Sequence, residues 1–478
     1  MTVYITTAIP YVNAAPHLGH ALELVQADVL ARHRRLRGQD VRFLTGTDDN
    51  AAKNVTAARA AGVDVAEFVD ANAERFLALV GPLGVAPDDT VRTSRDPRHR
   101  AGVEELWRRC AERGDLYRRR YSGRYCSGCE TFRETCDEHP GAIEEVAEEN
   151  WFFRLSRYAE PVRAAIRDGR LRIEPASRRN EVLAFLDGEV ADISVSRPAA
   201  RSGGWGIPVP GDPDQIVYVW WDALANYVTT LTGADRDRWW TGADERIHVI
   251  GKGITRFHAV YWPAQLLSAG LALPTALAVH PYLTVDGAKI SKSSGTAVDP
   301  VDLAARYGTD ALRWWLAREV GPQADADFTE ARLVERADRE LVRGLGNLVN
   351  RTVSLVHRYR DGRVPSESAD RAVDALPGRI DAALHRFDLR AATDAIWTEV
   401  EEGNRTVERE RPWELARNGD ARLDAVLATL VHRCRTVVAA CRPFVPDTAA
   451  RLAAQLGDGG TVGQPGPALP RLAATVAR

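Results

Sequence analysis

The sequence predicts an α/β fold, a doubly wound parallel sheet that is interrupted by an insertion and followed by an all-α bundle. Three observations lead to this prediction. Strand patterns alternate with helical patterns in residues 1–112 and again from about residue 211, as in parallel sheets with crossover helices. A cysteine-containing, acidic stretch separates these two regions. From about residue 336, apolar positions recur at spacings of three and four, which is typical of bundled helices.

The chain opens with a predicted strand, loop and helix. Residues 3–7 are rich in β-branched and aromatic side chains, as buried strands are. Pro10 and Pro16 bracket the loop. Helical spacing then continues through the apolar positions Leu18, Leu22, Val25, Val29 and Leu36.

The remaining elements follow the same two patterns. Further strands are predicted at residues 41–45, 216–220, 247–250 and 276–279, and helices from about Ala51 and Val65. A long bundle helix is predicted from the stripe Val334, Ala337, Leu341, Leu345, Leu348, Thr352, Leu355 and Tyr359. Other bundle helices are expected at about 376–402, 413–417 and 423–441, before a tail rich in Gly and Pro.

Two histidines stand at the start of the first helix, in His17-Leu18-Gly19-His20. At the carboxyl ends of parallel strands, free N–H groups at a helix N-terminus attract phosphate oxygens. Imidazoles at this place can donate to the same oxygens, and Gly19 leaves room for a nucleotide to approach. A motif of this kind alone also occurs at ordinary helix starts that carry a surface histidine.

A second motif supplies two lysines about 270 residues later, in Lys289-Ile290-Ser291-Lys292-Ser293. Ammonium groups placed where charge develops on a phosphate stabilise its transfer. Alone, such a loop is often only a solvated surface segment. The two motifs in this order, however, predict ATP-dependent activation of a carboxylate.

Further stretches of the chain resemble a known family. They are residues 6–11 (TTAIPY), 180–183 (NEVL), 205–211 (WGIPVPG), 218–224 (YVWWDAL), 248–252 (HVIGK), 256–258 (RFH), 262–264 (WPA) and 310–313 (DALR). With the two motifs, the sequence resembles the class I aminoacyl-tRNA synthetases, and within them the methionyl-tRNA synthetase family. The resemblance extends from about residue 4 to about residue 456.

This resemblance implies a Rossmann-like catalytic domain and an enzyme, a methionine–tRNA ligase. Such an enzyme activates L-methionine with ATP and Mg²⁺ to methionyl-adenylate and transfers the methionyl group to tRNA(Met). The matching positions that would stabilise charge on the phosphates are His17, His20, Lys289 and Lys292. Those that would contact ATP are His17, Gly19, His20, Gly251, Ile290 and Lys292.

The resemblance also implies a methionine site. Asp48, which follows the second predicted strand, would contact the α-ammonium group. The matching side-chain pocket comprises Ala8, Ile9, Tyr11, Trp220, Ala223, Leu224, Tyr227, Ile254 and His258. An unbranched thioether needs an apolar, polarisable slot beside aromatic edges. From the residues alone, a turn-forming Asp and plain core packing are the alternatives.

Three cysteines and a histidine have the spacing of a structural zinc knuckle. Cys126, Cys129, Cys136 and His139 form the pattern C-x2-C-x6-C-x2-H, which predicts one Zn²⁺ in a tight loop. The alternative is that these cysteines belong to an apolar core. The neighbouring residues are mostly polar, which favours the metal.

Three residues of the bundle are candidates for anticodon recognition. Asn347 and Arg351 lie four apart and therefore on one helical face, and Trp413 follows Pro412 at a predicted helix start. In the family these residue types bind the CAU anticodon, with the tryptophan stacking on a base, as is usual for single-stranded loops. A solvated polar face and a packed Trp are the alternative.

These predictions divide the chain into five segments. They are 1–112, the first half of the catalytic domain; 113–210, a connective insertion with the zinc knuckle at 121–147; 211–285, the second half of the catalytic domain; 286–335, the lysine loop and a stem-contact region; and 336–478, a helical anticodon-binding domain with a flexible tail.

Four positions depart from the family pattern. Where that pattern usually has Thr-Asp-Glu-His-Gly, this chain has Thr-Asp followed by Asp49, Asn50 and Ala51. Gly253 replaces an aspartate that would hold the ATP ribose, and the loss of one such hydrogen bond weakens binding by ~1–3 kcal/mol. These departures leave open a paralogue that activates a methionine analogue or acts outside translation. A non-catalytic tRNA-binding module is a further alternative, against which the intact His and Lys motifs argue.

Composition sets outer bounds. The 478 residues are 45% hydrophobic and 27% charged, as expected for a globular protein of two to four domains. The N-terminus shows no charged leader followed by an apolar stretch, and no segment is apolar enough to span a membrane, so a cytoplasmic protein is expected. We also expect a monomer or a homodimer, although no pattern in the sequence decides between them. The net charge of −3 neither favours nor excludes tRNA as a partner.

Overall fold

The computed structural model describes residues 1–126, 131–132, 134–136, 141–290, 298–366, 371–467 and 472, without the side chains of Thr131 and Lys289. Two compact units make up the chain. Unit 1 comprises Met1–Ala27, Arg37–Val80 and Ala86–His280, and unit 2 comprises Asp28–Leu36, Gly81–Val85 and Pro281–Arg478.

Unit 1 contains the strands and helices up to residue 280. Its strands are β1 (Thr2–Thr7), β2 (Asp40–Thr47), β3 (Asp89–Arg92), β4 (Leu116–Cys126), β5 (Thr131–Phe132), β6 (Ile143–Phe153), β7 (Arg172–Glu174), β8 (Ile193–Ser194), β9 (Ser196–Pro198), β10 (Pro208–Val209), β11 (Asp212–Val217), β12 (Glu245–Gly251) and β13 (Ala276–His280). Its α-helices are α1 (Leu18–Leu36, which continues into unit 2), α2 (Ala52–Ala61), α3 (Val65–Leu77), α4 (Pro97–Glu112), α5 (Ala159–Arg167), α6 (Ala176–Asp187), α7 (Ala199–Ser202), α8 (Val219–Thr229), α9 (Ala234–Arg236) and α10 (Trp262–Ala269).

In the described part of unit 1, six strands form one parallel sheet in the order β3-β2-β1-β12-β13-β7. Strand β1 pairs with β2 on one side and with β12 on the other, so the strand order reverses at β1. In sheets of this kind, ligands bind beyond the carboxyl ends of the strands at the point of reversal. The predicted α/β class with a parallel central sheet is confirmed.

Two antiparallel sheets accompany the parallel one in the described residues. Strands β5, β4, β6 and β8 form the first, which is dominated by the long β4–β6 hairpin, and β10, β11 and β9 form the second. Along the hairpin, arginines of β4 face glutamates of β6, for example Arg120 opposite Glu149 and Arg124 opposite Glu145. Opposite charges at facing positions stabilise such strand pairs.

The predicted strand at residues 216–220 is wrong for its second half. Strand β11 ends at Val217 and belongs to the small antiparallel sheet, and helix α8 begins at Val219. A short run of β-branched and aromatic residues does not distinguish a buried strand from a buried helix. Trp221, Leu224, Tyr227 and Val228 are all buried, at the spacing of a helix face.

A three-residue strand was not predicted. Strand β7, Arg172–Glu174, pairs in parallel with β13 at the edge of the central sheet, although its residues lie within the range predicted as insertion. Edge strands are often short and charged, which leaves almost no pattern in the sequence.

Unit 2 is largely helical. Its strands are β14 (Leu283–Val285), β15 (Ala288–Lys289) and β16 (Ala326–Asp327), and its helices are α11 (Pro300–Tyr307), α12 (Thr309–Glu319), α13 (Glu330–Arg336), α14 (Asn347–Arg360), α15 (Leu376–His385), α16 (Leu389–Glu410), α17 (Pro412–Asn418), α18 (Arg422–Cys441) and α19 (Pro446–Leu456). A π-helical segment, Ala337–Gly346, joins α13 to α14. The predicted helical C-terminal region is confirmed. No described helix combines the length and the apolar character needed to cross a bilayer.

Arg313 of α12 is a fully buried charge in unit 2. Its guanidinium donates to the Asp28 carboxylate at 2.7 Å. It also donates to the carbonyl oxygens of Leu83, Pro443 and Phe444 at 3.0, 2.8 and 3.0 Å. One side chain therefore joins α12 to segments far away in sequence. Each of these hydrogen bonds is charge-assisted, because the donor is a guanidinium group.

We expect replacement of Arg313 by methionine to destabilise unit 2 strongly. The substitution leaves three carbonyl oxygens and part of the Asp28 carboxylate without their donor, a change that typically costs about 3–5 kcal/mol. Urea unfolding followed by circular dichroism at 222 nm, which reports the helices of both units, would measure it. The matched control is Arg306→Met, which removes a partly exposed pair with Glu330 and is expected to cost under about 1 kcal/mol. Equal costs for the two substitutions would contradict this account.

Candidate functional site

The site lies where three parallel strands of unit 1 end. Strand β1 runs into residues 8–20, β2 into 48–51 and β12 into 252–258. Because the strands are parallel and adjacent, these segments meet at one edge of the sheet. Helix α8, which contributes a fourth set of predicted residues, packs against the π-helical segment Phe257–Tyr261 at the end of the third segment.

The two histidines at the start of α1 lie ring against ring, with centroids 3.9 Å apart. The His17 backbone N–H donates to Nδ1 of His20 at 3.1 Å, and the Gly19 backbone N–H donates to Nδ1 of His17 at 3.1 Å. In the neutral rings both protons therefore reside on Nε2. Burial, and then the neighbouring His17, lowers the pKa of His20 well below 6.5, so that ring is neutral near pH 7.

Gly19 is required by the histidine beside it. A Cβ atom at this position would lie 2.9 Å from Cε1 of His17, closer than carbon atoms approach without displacement. The glycine therefore preserves the orientation of His17. The sequence predicted room for a nucleotide at Gly19; what the structure adds is this constraint from the ring.

Asp48 is held against the segment after β1. It is buried, its backbone N–H donates to the Pro10 carbonyl at 2.8 Å, and it forms a parallel bridge with Tyr11. Its Oδ1 accepts from the Asn50 backbone N–H at 3.3 Å. The fully buried Asn54 amide donates to the Asp48 carbonyl at 3.1 Å. These bonds fix both the main chain and the carboxylate of Asp48.

Several residues predicted to line the side-chain pocket are aromatic and contact one another. Trp220 stacks on Phe257 with centroids 3.8 Å apart and planes 9° from parallel. Tyr11 meets the same indole edge-on at 6.3 Å, and His258 meets it at 6.4 Å. Offset stacks and edge contacts of this type each stabilise by roughly 0.5–1.5 kcal/mol beyond area burial. Tyr11 and His258 therefore both lie against the indole ring of Trp220.

A directional hydrogen-bond chain orders the inner end of the pocket. The Ile254 carbonyl can only accept, so Nδ1 of His258 donates to it at 3.0 Å, and Nε2 accepts from the Tyr227 hydroxyl at 2.7 Å. Burial lowers the pKa of His258 to about 4 and raises the pKa of Tyr227 well above 10. Both groups are therefore uncharged near pH 7.

A second buried histidine packs against the ring of Tyr227. His248 of β12 stacks on the Tyr227 ring at 4.0 Å. Trp262 donates its indole N–H to Nε2 of His248 at 3.2 Å, so Nδ1 donates to the Thr6 hydroxyl at 2.7 Å. Burial lowers the pKa of His248 well below 6.5. The pocket is thus backed by neutral rings whose tautomers are set by their partners.

The other predicted members of the unit 1 site lie on the same segments. Ala8, Ile9 and Ile254 are partly buried and pack against the hydrophobic core that includes Leu224. Ala223 is buried on α8. Gly251 is buried at the carboxyl end of β12, opposite His280 of β13.

The first departure from the family pattern has a structural role. Asp49 is fully buried, and its carboxylate accepts from Thr47 and Ser94 at 2.7 Å each and from Arg92 at 3.1 Å. Burial raises its pKa more than these bonds lower it. Thr47 ends β2 and Arg92 ends β3, so Asp49 ties together the carboxyl ends of two neighbouring strands.

Comparison with known proteins agrees with this geometry. The family profile described as "tRNA synthetases class I (M)" matches residues 3–138 and 133–353. The chain is 39% identical to the methionine–tRNA ligase of Thermotoga maritima, over 94% of this chain and 74% of that protein. It is also 39% identical to the methionine–tRNA ligase of Synechocystis sp., over 95% and 90% of the two chains.

Solved structures agree as well. The structure of Mycobacterium tuberculosis methionyl-tRNA synthetase in complex with methionyl-adenylate matches with a TM-score of 0.91 and 36% identity, over 98% of this chain and all 100% of the other. Its apo form matches with a TM-score of 0.85 and 33% identity, over 98% of both chains. The chain belongs to the methionine–tRNA ligase family of class I tRNA synthetases.

In this family member, the lysine motif belongs to unit 2. Lys289 is the last residue of β15, and Ile290 is buried, with its N–H donating to the Leu283 carbonyl at 3.3 Å. Lys292 lies outside the described residues. The anticodon candidates are also in unit 2: Asn347 and Arg351 occupy the first two turns of α14, and Trp413 the first turn of α17, which packs against α14.

Half of the predicted zinc knuckle is described. Cys126 ends β4, and Cys126 and Cys136 are both buried and neither forms a disulfide. Cys129 and His139 lie outside the described residues. Among the described residues, no group of three or more metal-ligating side chains is found.

The structure adds residues to which the sequence pointed weakly or not at all. Phe257 stands directly before His258, but nothing in the sequence indicated that it stacks on Trp220. Trp205, in a stretch that resembles the family, donates its indole N–H to the Asp49 carbonyl at 2.8 Å. His99 and Asp222 are buried partners more than 120 residues apart, a pairing that only the folded chain reveals.

We expect the stability of unit 1 to fall as the pH falls from about 6.5 towards 4. The lowered pKa of His258 means that the unfolded chain binds a proton which the folded chain does not, so the stabilisation is present above about pH 6.5 and is lost below it. For a pKa near 4 in the fold, the loss by pH 5 is about 2 kcal/mol. Urea unfolding followed by tryptophan fluorescence between pH 8 and 5 measures it.

The matched variant is His258→Gln. The glutamine amide oxygen can accept from Tyr227, and the side chain does not titrate. Between pH 8 and 5, the free energy of unfolding of the variant should therefore fall by about 2 kcal/mol less than that of the unaltered protein. An unchanged slope in the variant would contradict the assignment to His258.

Proposed function

We propose that this chain is a methionine–tRNA ligase, which activates L-methionine with ATP to methionyl-adenylate and then transfers the methionyl group to tRNA(Met). One observation carries the proposal in a chain of this family. The paired histidines, the buried Asp48 and the uncharged aromatic pocket all lie at the carboxyl edge of one parallel sheet.

Methionine is bound at its two ends. The Asp48 carboxylate accepts from the α-ammonium group, and the thioether lies among Tyr11, Trp220, Tyr227 and His258. Sulfur next to aromatic edges is favourable by roughly 0.3–1.5 kcal/mol per contact. Neutral histidine and protonated tyrosine suit this task, because a thioether gives no compensation for a buried charge.

Activation is an attack of the methionine carboxylate on the α-phosphorus of ATP, which is bound as its Mg²⁺ complex. A new oxygen–phosphorus bond forms, the bond to the β-phosphate oxygen breaks, and pyrophosphate leaves. His17 and His20 donate from Nε2 to phosphate oxygens, and Lys289 and Lys292 bring positive charge to the leaving group. Gly19, Gly251 and Ile290 contact the nucleotide. The protein supplies positioning and electrostatics and no nucleophile of its own.

Transfer then uses the mixed anhydride. A ribose hydroxyl at the 3′ end of tRNA(Met) attacks the methionyl carbonyl carbon, an ester forms, and AMP leaves with the former carboxylate–phosphate oxygen. On the bundle, Asn347 and Arg351 hydrogen-bond the CAU anticodon and Trp413 stacks on one of its bases.

The remaining assignments concern stability and setting. Cys126, which ends β4, would hold one structural Zn²⁺ together with Cys129, Cys136 and His139, through three thiolates and one imidazole. Cys126 and Cys136 are buried although the neighbouring sequence is polar, and buried thiolates of this kind are suitable zinc ligands. We further propose a cytoplasmic protein that is a monomer or a homodimer.

The direct test is methionine-dependent exchange between ATP and pyrophosphate, followed by charging of tRNA(Met). Within that assay we expect His20→Asn to lower kcat by about 10²–10³, because a preorganised donor to the phosphates is lost. The KM for methionine should change by less than about threefold, since methionine does not contact this ring.

The control is His432→Asn, a partly exposed histidine of unit 2 that pairs with Asp374. It should leave exchange unchanged. Exchange by His20→Asn at the rate of the unaltered protein would remove the histidine pair from the mechanism. No exchange by the folded, unaltered protein would reject the proposed function itself.

We expect Trp413→Ala to separate activation from charging. The loss of one base–aromatic stack should raise the KM for tRNA(Met) about 10- to 100-fold, while exchange, which needs no tRNA, stays unchanged. Trp413→Phe is the matched variant, since it keeps a stacking ring and should retain most of the affinity. If both variants charge tRNA like the unaltered protein, Trp413 does not contact the anticodon.

A further inference from the structure

Asp222 is a buried carboxylate without a role in the mechanism above. It is 1% exposed and lies on α8, the helix that contributes Trp220, Ala223, Leu224 and Tyr227 to the pocket. Removing a carboxylate from water is costly unless partners compensate it. Its partners therefore indicate why the residue is present.

Two side chains hold the two oxygens of Asp222. Nε2 of His99 lies 2.5 Å from Oδ1, and the Asn50 amide donates to Oδ2 at 2.7 Å. His99 is itself fully buried, and its Nδ1 lies 2.8 Å from the Thr229 hydroxyl. Asp222 and Thr229 are two turns apart on α8, so His99 contacts the helix at both positions and leaves Asp222 little freedom to rotate.

Asn50 connects Asp222 to the amine-binding carboxylate. Its backbone N–H donates to Oδ1 of Asp48 at 3.3 Å, while its side chain is bound to Asp222. Asn50 is only 9% exposed, so water does not readily replace either bond. The short turn from Asp48 to Asn50 is thus attached to α8 through the hydrogen bond between Asn50 and Asp222.

The hydrogen bond between Asn50 and Asp222 connects the two parts of the protein that bind the two ends of methionine. Asp48 binds the ammonium group, whereas the neighbours of Asp222 on α8 bind the thioether. The distance between these two sets must match the length of one amino acid, and a misplacement of about 1 Å in a reacting group can cost about 10²-fold in rate.

We propose that Asp222 is a positioning residue for methionine: through Asn50 it holds the Asp48 carboxylate at a fixed distance from the side-chain pocket on α8. The proposal rests on the proposed function, because it takes Asp48 as the binding site of the α-ammonium group. It also gives a role to Asn50, one of the positions that depart from the family pattern: its amide supplies the donor that Oδ2 of Asp222 requires.

The test compares ligands with and without the amine. Dissociation constants are measured by tryptophan fluorescence for L-methionine and for 4-(methylthio)butanoate, which lacks only the amino group. Asn50→Leu removes the donor at nearly constant volume. We expect it to weaken methionine binding about tenfold, while binding of the des-amino compound changes by less than twofold, since that compound makes no use of Asp48.

A purely structural role predicts a different result. If Asn50→Leu weakens both ligands equally, or neither, the proposal is overturned. Asn50→His places a ring N–H donor at the same position and should restore most of the methionine affinity. Asn150→Leu, which removes another fully buried amide in the β4–β6 hairpin, is the matched control and should alter neither ligand.

Asp222 itself is tested by a double substitution. Asp222→Ala should weaken methionine binding selectively in the unaltered background and have no further selective effect in Asn50→Leu, because both act through one bond. Additive effects would overturn the coupling. If Asp222→Ala does not fold, the Asn50→Leu and Asn50→His pair still decides. Failure of the proposed function appears separately, as absence of methionine-dependent exchange in the unaltered protein.

Discussion

The parallel pairing of β1 with β2 on one side and β12 on the other is the constraint on which the whole candidate site depends. Because the strands run in the same direction, their carboxyl ends lie at one edge, and the three segments that follow them have to meet there. The histidine pair, Asp48 and His258 come from these three segments. None of these groups is close to another in sequence except the two histidines, so the backbone pairing, and not local chemistry, creates the site.

The site separates charged from uncharged recognition. At the inner end, His248 and His258 are kept neutral by burial, and each has its tautomer set by a partner that can act in only one sense, a carbonyl that accepts or an indole that donates. Near Asp48, two carboxylates are buried: Oδ1 of Asp48 accepts from the Asn50 backbone N–H, and Asp222 is held by an amide and an imidazole. A zwitterionic amino acid with an apolar side chain fits this gradient, because each of its ends meets the environment that compensates it.

The contacts of the residues that depart from the family pattern show what three of these residues do in the fold. Asp49 faces the ends of β2 and β3, where it bonds with Thr47 and Ser94. Asn50 keeps a donor for Asp222. Ala51 is fully buried with ordinary extended backbone angles (φ −63°, ψ 138°), so its position does not require glycine. These three changes are thus compatible with an intact methionine site, whereas Gly253 is exposed and has no side chain with which to bind a ribose.

The sequence by itself determined the elements with strong periodicity and the residues that lie within a recognisable motif. The opening strand and helix, the strands that end at Thr47 and Gly251, the long bundle helices and the histidine pair follow from local patterns, since strand and helix spacing are local properties. Only the tertiary structure decided that residues 219 and 220 are helical, that a three-residue strand completes the sheet, that Phe257 stacks on Trp220, and that His99 contacts Asp222. Contacts between residues far apart in the chain depend on which strands pair and which faces pack, and a single sequence leaves no periodic trace of such pairings.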